Sequence, residues 1–292
     1  MFKLKLISFL LRCFAQLPLP IIHHLGAAIG WCVGVFAHKF PNRIKQNLRI
    51  SFPLKSDAEL NQLVNSNMKE SGKAVLETFA IWFRNMQALQ PWFKDCSGWQ
   101  HVDAGFKAGR GIIFLTPHLG SFEITSLYYG QFHPITVLYR PPRQAWLMPL
   151  ILSGRQRGGV TLAPANAQGV KQLLQALKRN EAIGILPDQA PLTGEGEWAP
   201  FFGRPAYTMS LASKLAKKTG ALVLMAYGER LSGGRGYHVH IRPVTDGGIH
   251  TPALLNAEIE QTILQCPAQY IWAYDRYKVR AESSESFNIG NE

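Results

Sequence analysis

From Gly111 onward the chain alternates short apolar runs with stretches of helical spacing, a texture that few folds accommodate. The runs Ile112–Leu115, Ile135–Tyr139, Val160–Ala163, Ala182–Leu186, Leu222–Ala226 and His238–Ile241 read as buried strands. Helices are expected between several of them, at 121–130, 144–156, 168–179 and 208–219. Strand and helix alternating in this way predict an α/β fold with a mixed or largely parallel central sheet flanked by helices. Upstream, residues 57–90 read as helical, with Leu60, Leu63, Val64, Met68, Val75, Phe79 and Trp82 at helical spacing. Ligands in such folds gather at the loops that follow the strand ends. Three polar clusters sit there: Thr116-Pro117-His118, Tyr139-Arg140 and Pro187-Asp188-Gln189.

The first fifty residues have a different character. Lys3, Lys5 and Arg12 precede a run from Leu17 to Ala37 that has no formal charge apart from His23 and His24, and no acidic residue occurs before Asp57. The run approaches the roughly 20 residues that a bilayer span requires. Pro18, Pro20 and three glycines make it a poor continuous span, and no small-x-small cleavage site marks a secretory signal. The expectation is membrane anchoring over residues 1–50, by a span or by helices lying in the interface. A buried helical hairpin in a soluble protein is the alternative. Lys39, Arg43, Lys45 and Arg49 follow the run and favour a cytoplasmic position for the main domain, expected over 51–280 with a polar tail at 281–292.

Composition narrows the partners. Charged residues make up 17% of the chain, and 31 Lys and Arg against 19 Asp and Glu give a formal +12. That excess suits nucleic acid, an anionic membrane, a phosphorylated substrate or an acidic carrier protein. A basic membrane-surface or nucleic-acid-binding protein is the non-enzymatic alternative; against it, the basic residues are dispersed and no nucleic-acid motif is visible. Cys13, Cys32, Cys96 and Cys266 form no CxxC pair and lie at no finger-like spacing from histidine, against a zinc finger or a disulfide framework.

His118 follows the apolar run GIIFLTP and precedes the expected helix SFEITSLYYG, in which Glu123 lies one turn along. From that loop Glu123 can point back at the imidazole, orient one ring nitrogen and leave the other as a base. No Ser or Cys nucleophile is then required, because the substrate supplies it. The spacing alone is weak, and a structural histidine is the competing reading. Arg140, Arg143, Arg155 and Arg157 cluster between two expected strands with Tyr139 and Trp146. They suit phosphate or oxyanion binding, or simply a solvated face. Asp188 would be costly to bury unpaired, so it is expected either to pair with an arginine or to shape its loop. Phe201 and Phe202 suit a lipid-chain channel or loop packing. The aromatic and basic segment PAQYIWAYDRYK suits either the membrane interface or a cover over the domain.

Taken together, NRIKQNLRISFP, GIIFLTPHLGSFE, VLYRPPR, GRQRGG, GILPDQAP, PFFGRPAYT and PAQYIWAYDRYK resemble, in order, the lipid A biosynthesis acyltransferases of the lysophospholipid acyltransferase superfamily. The resemblance runs from about Asn42 to Lys278. It places the family's His-x4-acid motif on His118 and Glu123, its arginine on Arg155 with Arg157 as competitor, and its later acidic position on Asp188. Phe122 stands where the family often has Trp, and Ser121 and Asn180 also depart from the commoner choices. The resemblance implies an enzyme at the bacterial inner membrane with its catalytic domain facing the cytoplasm. It would transfer a fatty acyl group from acyl-carrier protein to a hydroxyl of a phosphorylated glycolipid, a lipid A precursor, without metal or redox cofactor. In that scheme Glu123 orients His118 as the base, and Arg155 stabilises the oxyanion or places a phosphate. A lysophospholipid, an aminolipid or another glycolipid is the alternative acceptor.

Overall fold

A computed structural model describes residues 11–142, 144, 147–245 and 248–278. Arg143, Trp146, Lys3, Lys5 and the tail 281–292 lie outside the described residues. The core is a seven-stranded sheet in the order β1-β9-β8-β2-β5-β3-β4. Its strands are β1 (Phe93–Ser97), β2 (Ile112–Leu115), β3 (Ile135–Tyr139), β4 (Val160–Pro164), β5 (Ala182–Ile185), β8 (Leu222–Arg230) and β9 (Tyr237–Pro243). β8, β2, β5, β3 and β4 run parallel, β9 is antiparallel to β8, and β1 is parallel to β9. The mixed, largely parallel sheet is the one expected.

Period two divides the core. Ile113 and Leu115 of β2 pack on one face, while Ile112 and Phe114 pack on the other. Five of the helices are α4 (Trp99–Lys107), α5 (Phe122–Tyr129), α6 (Met148–Arg155), α7 (Ala167–Lys178) and α8 (Leu211–Thr219). α5, α6 and α7 connect successive strands. A helix near the C-terminal end of the described residues, α9 (Pro252–Ile263), buries Leu255, Ile259 and Ile263. β6 (Gly196–Phe201) and β7 (Arg204–Met209) form a separate antiparallel hairpin where a loop and the start of a helix were expected. Its turn places Phe202 at φ 47° and Gly203 at φ 73°, the double left-handed geometry of a two-residue hairpin. Phenylalanine is a poor occupant of that geometry, so sequence gave no turn signal. The surroundings hold it: the Phe202 N–H donates to Glu260 Oε1 at 2.7 Å, and its ring packs on Phe52 and Trp272. These contacts favour loop packing for the phenylalanine pair, and neither ring lines the cavity described below.

The apolar N-terminal run forms one unbroken helix, α1 (Leu19–Phe36), contrary to the break expected from its prolines and glycines. Pro20 falls in the first turn, where the missing N–H has no intrahelical partner to lose. The glycines serve packing. Gly26 and Gly30 lie directly on Gly72 of α3 (Asp57–Phe83), so close that a Cβ at Gly26 would stand 2.6 Å from the Cα of Lys73. α3 ends at Phe83, short of the expected 57–90, and begins with a capping box in which Ser56 and Glu59 satisfy each other's backbone N–H groups. Between them, α2 (Lys39–Ser51) uses Asn47 to donate to the carbonyls of Trp272 and Tyr274, as Asn67 of α3 does to those of Ala268 and Tyr270. The segment PAQYIWAYDRYK is thereby strapped over the domain, with Trp272 and Arg276 buried.

Candidate active site

The expected strand-exit clusters meet because β2, β5 and β3 are adjacent in the sheet. His118 follows β2, Asp188 follows β5 and Arg140 follows β3. Gly120 makes the loop after His118 possible. It adopts φ +60°, and a Cβ there would collide with the carbonyl oxygen of Gly228 in β8. The Ser121 N–H donates to that same carbonyl at 2.8 Å, and the carbonyl of His118 accepts from the Ile271 N–H at 3.2 Å. Backbone from β8 and from the C-terminal strap thus fixes the loop on both sides.

The imidazole is oriented by Asp188, and this corrects the expectation for Glu123. Asp188 Oδ1 bonds His118 Nδ1 at 2.8 Å, while Oδ2 accepts the backbone N–H of His118 at 3.0 Å. Asp188 is fully buried. Burial alone would raise its pKa, but the charge and hydrogen bonds of His118 outweigh it and hold the carboxyl below its ordinary value. Its partner is therefore a histidine, where an arginine was expected. With Nδ1 engaged, Nε2 is the nitrogen left for a substrate, and the amide nitrogen of Gln189 lies 3.4 Å from it. The ring of Phe122 packs against the imidazole at 4.8 Å.

Glu123 is occupied elsewhere. Its carboxylate takes the Nε of Arg155 at 2.8 and 3.1 Å, a further short bond from Arg155 Nη2, and the indole N–H of Trp82 at 3.2 Å. The bidentate geometry is the one guanidinium favours. Burial would lower the pKa of Arg155, yet the charge and hydrogen bonds of Glu123 raise it above its ordinary value. Arg155 also stacks over the Trp82 ring at 5.6 Å. Trp82 was read only as one residue on the apolar face of a helix, and its partner lies 41 residues away, so local sequence had no signal for it.

His118, Glu123, Arg155 and Arg140 line one cavity of about 350 Å³, a size typical of ligand pockets. Val137, Leu138, Leu162, Leu186, Met209 and Leu211 form its apolar wall. Arg140, in a loose 3.8 Å pair with Glu195, and Lys214 of α8 add positive charge. A smaller apolar cavity between α5 and the sheet shares Phe122, Ser126, Val137 and Leu186 with the first, so the two adjoin at those residues. Arg157, by contrast, does not line the cavity. It donates to the carbonyls of Ile81, at 2.9 Å, and Arg84 at the end of α3, where helix carbonyls lack partners, and burial pushes its pKa down to about 10. Its position is that of a helix tether rather than a substrate ligand.

The cavity thus joins an oriented imidazole to an apolar wall and to cationic side chains. The profile of the family described as bacterial lipid A biosynthesis acyltransferase matches residues 2–279. The chain is 27% identical over 281 residues to the lipid A biosynthesis palmitoleoyltransferase of Escherichia coli (strain K12), covering 94% of this chain and 91% of that one. It is likewise 27% identical over 277 residues to the lipid A biosynthesis lauroyltransferase of the same organism, covering 93% and 90%. A phosphatidylinositol mannoside acyltransferase of Mycobacterium tuberculosis (strain ATCC 25618 / H37Rv) is 24% identical over 213 residues, covering 72% and 67%.

Proposed function

Because this chain belongs to the bacterial lipid A biosynthesis acyltransferase family, we propose that it transfers a fatty acyl group from acyl-carrier protein to a hydroxyl of a phosphorylated lipid A precursor at the inner membrane. The observation that carries the chemistry is the Asp188–His118 pair at the wall of a cavity that is apolar on one side and cationic on another. Asp188 holds the Nδ1 proton and the orientation, and Nε2 of His118 takes the proton of the acceptor hydroxyl. The oxygen attacks the thioester carbonyl, the tetrahedral adduct collapses, and the C–S bond breaks. The proton on Nε2 then passes to the departing thiolate, so charge and atoms balance.

The nucleophile belongs to the substrate in this scheme. Ser126 and Ser210 line the cavity, but the described hydrogen bonds of the His118 ring run to Asp188 and Gln189. Arg155, clamped by Glu123, presents a fixed positive charge to the reacting carbonyl or to an acceptor phosphate, and Arg140 and Lys214 line the same cavity. Leu162, Leu186, Met209 and the adjoining small cavity offer the apolar volume an acyl chain needs. The +12 charge suits an acidic carrier, a phosphorylated acceptor and an anionic leaflet alike.

Residues 1–50 form the membrane-anchoring unit in this reading, and the packing of α1 favours a position within the interface. α1 has 18 residues, mean hydropathy 1.6, and a face on which Ile21, Leu25, Ile29 and Phe36 are exposed. Its middle, however, lies against Lys69 and Lys73 of α3 through the glycine contacts, and Lys73 carries Glu70 as its ion-pair partner. A perpendicular span would carry those charged groups into the hydrocarbon, at several kcal/mol each. An in-plane helix buries only the exposed apolar face and leaves α3 in water. The main domain would then lie on the cytoplasmic side, where the basic residues of α2 meet anionic headgroups.

The reading is tested with the full chain in detergent, labelled acyl-carrier protein and a tetra-acylated lipid A precursor. Acyl gain with the wild type, and none above background with His118→Ala, is the expected outcome. A folded wild type that acylates a phosphatidylinositol mannoside or a lysophospholipid but not the lipid A precursor would replace the acceptor and keep the chemistry.

A further inference from the structure

Away from the cavity, on the far strands of the sheet, three ligating side chains converge. His238 and His240 are two residues apart on β9 and so share one face of the strand. Glu229 of β8 is the cross-strand partner of His238. Glu229 Oε2 reaches Nε2 of His240 at 2.8 Å, and the two imidazoles lie nearly parallel with centroids 4.0 Å apart. One ligand atom from each of the three residues falls within 4.8 Å of the others. The neighbouring strand adds to the set: β1 puts Asp95 opposite His238, with Oδ2 3.9 Å from Nε2, and Ser97 Oγ 2.7 Å from the same nitrogen. Tyr227 stacks on His240 at 4.6 Å and fixes that ring from behind.

We propose that Glu229, His238 and His240 form a site for a divalent transition cation of the zinc class, with Asp95 as a fourth ligand. Two imidazoles and carboxylate oxygens are the donors such ions prefer over calcium or magnesium. Tetrahedral coordination at about 2.0–2.2 Å requires the ligand atoms to draw together from their present spread, which small side-chain rotations supply on pre-formed strands. The cation takes the place of the Glu229–His240 hydrogen bond and draws His238 from Ser97. The side chains of His238 and His240 are 22% and 25% exposed, enough for an ion to enter. None of the four residues lines the catalytic cavity, so the site is separate from the acyl-transfer chemistry. It nonetheless borders it through the backbone, since Glu229 follows Gly228, whose carbonyl holds Ser121. A cation here ties β1, β9 and β8 together at that point, which raises thermal stability.

The test uses the full chain in detergent, stripped with chelator and titrated with zinc chloride by calorimetry. The wild type and His118→Ala should each bind one equivalent at micromolar or lower Kd, with a rise in Tm. Glu229→Gln should weaken binding at least about tenfold, and the His238→Ala/His240→Ala pair should abolish it. Cobalt(II) gives an independent readout: a visible absorption band of tetrahedral type in the wild type that is lost in Glu229→Gln, a variant that preserves side-chain shape. Zinc binding of equal affinity and stoichiometry in the double variant, or no binding by the folded wild type at micromolar zinc, overturns the proposal.

Discussion

Among the described residues, two clusters combine histidine, carboxylate and arginine, one enclosed and one partly open, and they differ because of what surrounds them. Around Glu77 every oxygen is engaged inside the protein. It pairs with Arg230 through two bonds of 2.7 and 2.8 Å and also meets His23 at 3.0 Å and the Tyr237 hydroxyl at 2.9 Å. Arg230 spends a further nitrogen on Glu70 at 2.7 Å. His23, Glu77 and Arg230 are almost wholly enclosed, and the cluster joins α1, α3, β8 and β9. Around His118 the same residue types are divided into two pairs, Asp188–His118 and Glu123–Arg155, both opening on a cavity. A closed network makes a rivet; a pair with one nitrogen left over at a cavity wall has the arrangement that the proposed base requires.

The comparison is broken most directly at Asp188. Replacing Asp188 by Asn keeps the shape of the loop but removes the carboxylate that fixes the Nδ1 proton. Acyl transfer should fall by about 10²–10⁴-fold in kcat, as for other oriented histidines, while the protein remains folded. A full-rate Asp188→Asn enzyme in the acyl-carrier assay would return the orienting role to another group.

Glu77 should give the opposite pattern. Glu77→Gln leaves Arg230 buried without its full partner, which costs on the order of 3–5 kcal/mol of stability. Chemistry in detergent below the melting point should be unchanged. The pH dependence carries a sign as well. Although burial would raise the Glu77 pKa, Arg230 and His23 bring it from 4.5 down to about 2. A carboxyl lowered on folding contributes stability that is fully present above the unfolded value near 4.5 and disappears as pH falls toward 2. Between those limits the wild type should lose Tm more steeply than Glu77→Gln. Parallel Tm curves for the two proteins would assign the acid sensitivity to other carboxylates.

Much of this division was unreadable along the chain, for a physical reason. The strands from Ile112 onward were legible because a strand buried on both faces has to be a short apolar run, and the strand-exit rule then selected His118, Arg140 and Asp188. The pairing was not legible. His118 and Asp188 lie 70 residues apart, and they meet because β5 inserts beside β2, an order that no local pattern encodes. Five-residue spacing pointed to Glu123 as the partner of His118, yet Glu123 turns to Arg155 and Trp82. The β6–β7 hairpin was missed because its turn sets a phenylalanine in a glycine-like conformation that only tertiary contacts sustain. The rivet around Glu77 was missed because its members come from four separate elements.

Glu123 tests whether the second pair belongs to the chemistry or to the scaffold. Glu123→Gln removes the charge that clamps Arg155 and weakens hydrogen bonds worth roughly 1.5–3 kcal/mol to a charged group. A catalytic placement of Arg155 predicts a loss of about 10- to 100-fold in kcat/KM with a small change in Tm. If the Glu123–Arg155 pair is only a second rivet, the stability will fall as it does for Glu77→Gln and the rate of the folded enzyme will hold.

The smallest expected effect is the most discriminating. Trp82 gives Glu123 its third donor nitrogen, a neutral indole N–H at 3.2 Å, and supplies the ring over which Arg155 lies. Trp82→Phe deletes the N–H while retaining a ring for the guanidinium, so about 1 kcal/mol is at stake. Placed in the transition state, that amount appears as roughly a fivefold drop in kcat/KM with Tm nearly constant. Placed in the fold, it appears as a lower Tm and an unchanged rate. Trp82 stands on α3, five residues beyond Glu77, so the two variants compare neighbouring turns near the C-terminal end of one element. A kinetic effect at Trp82 beside a purely thermal one at Glu77 would show the active site beginning within the length of that helix.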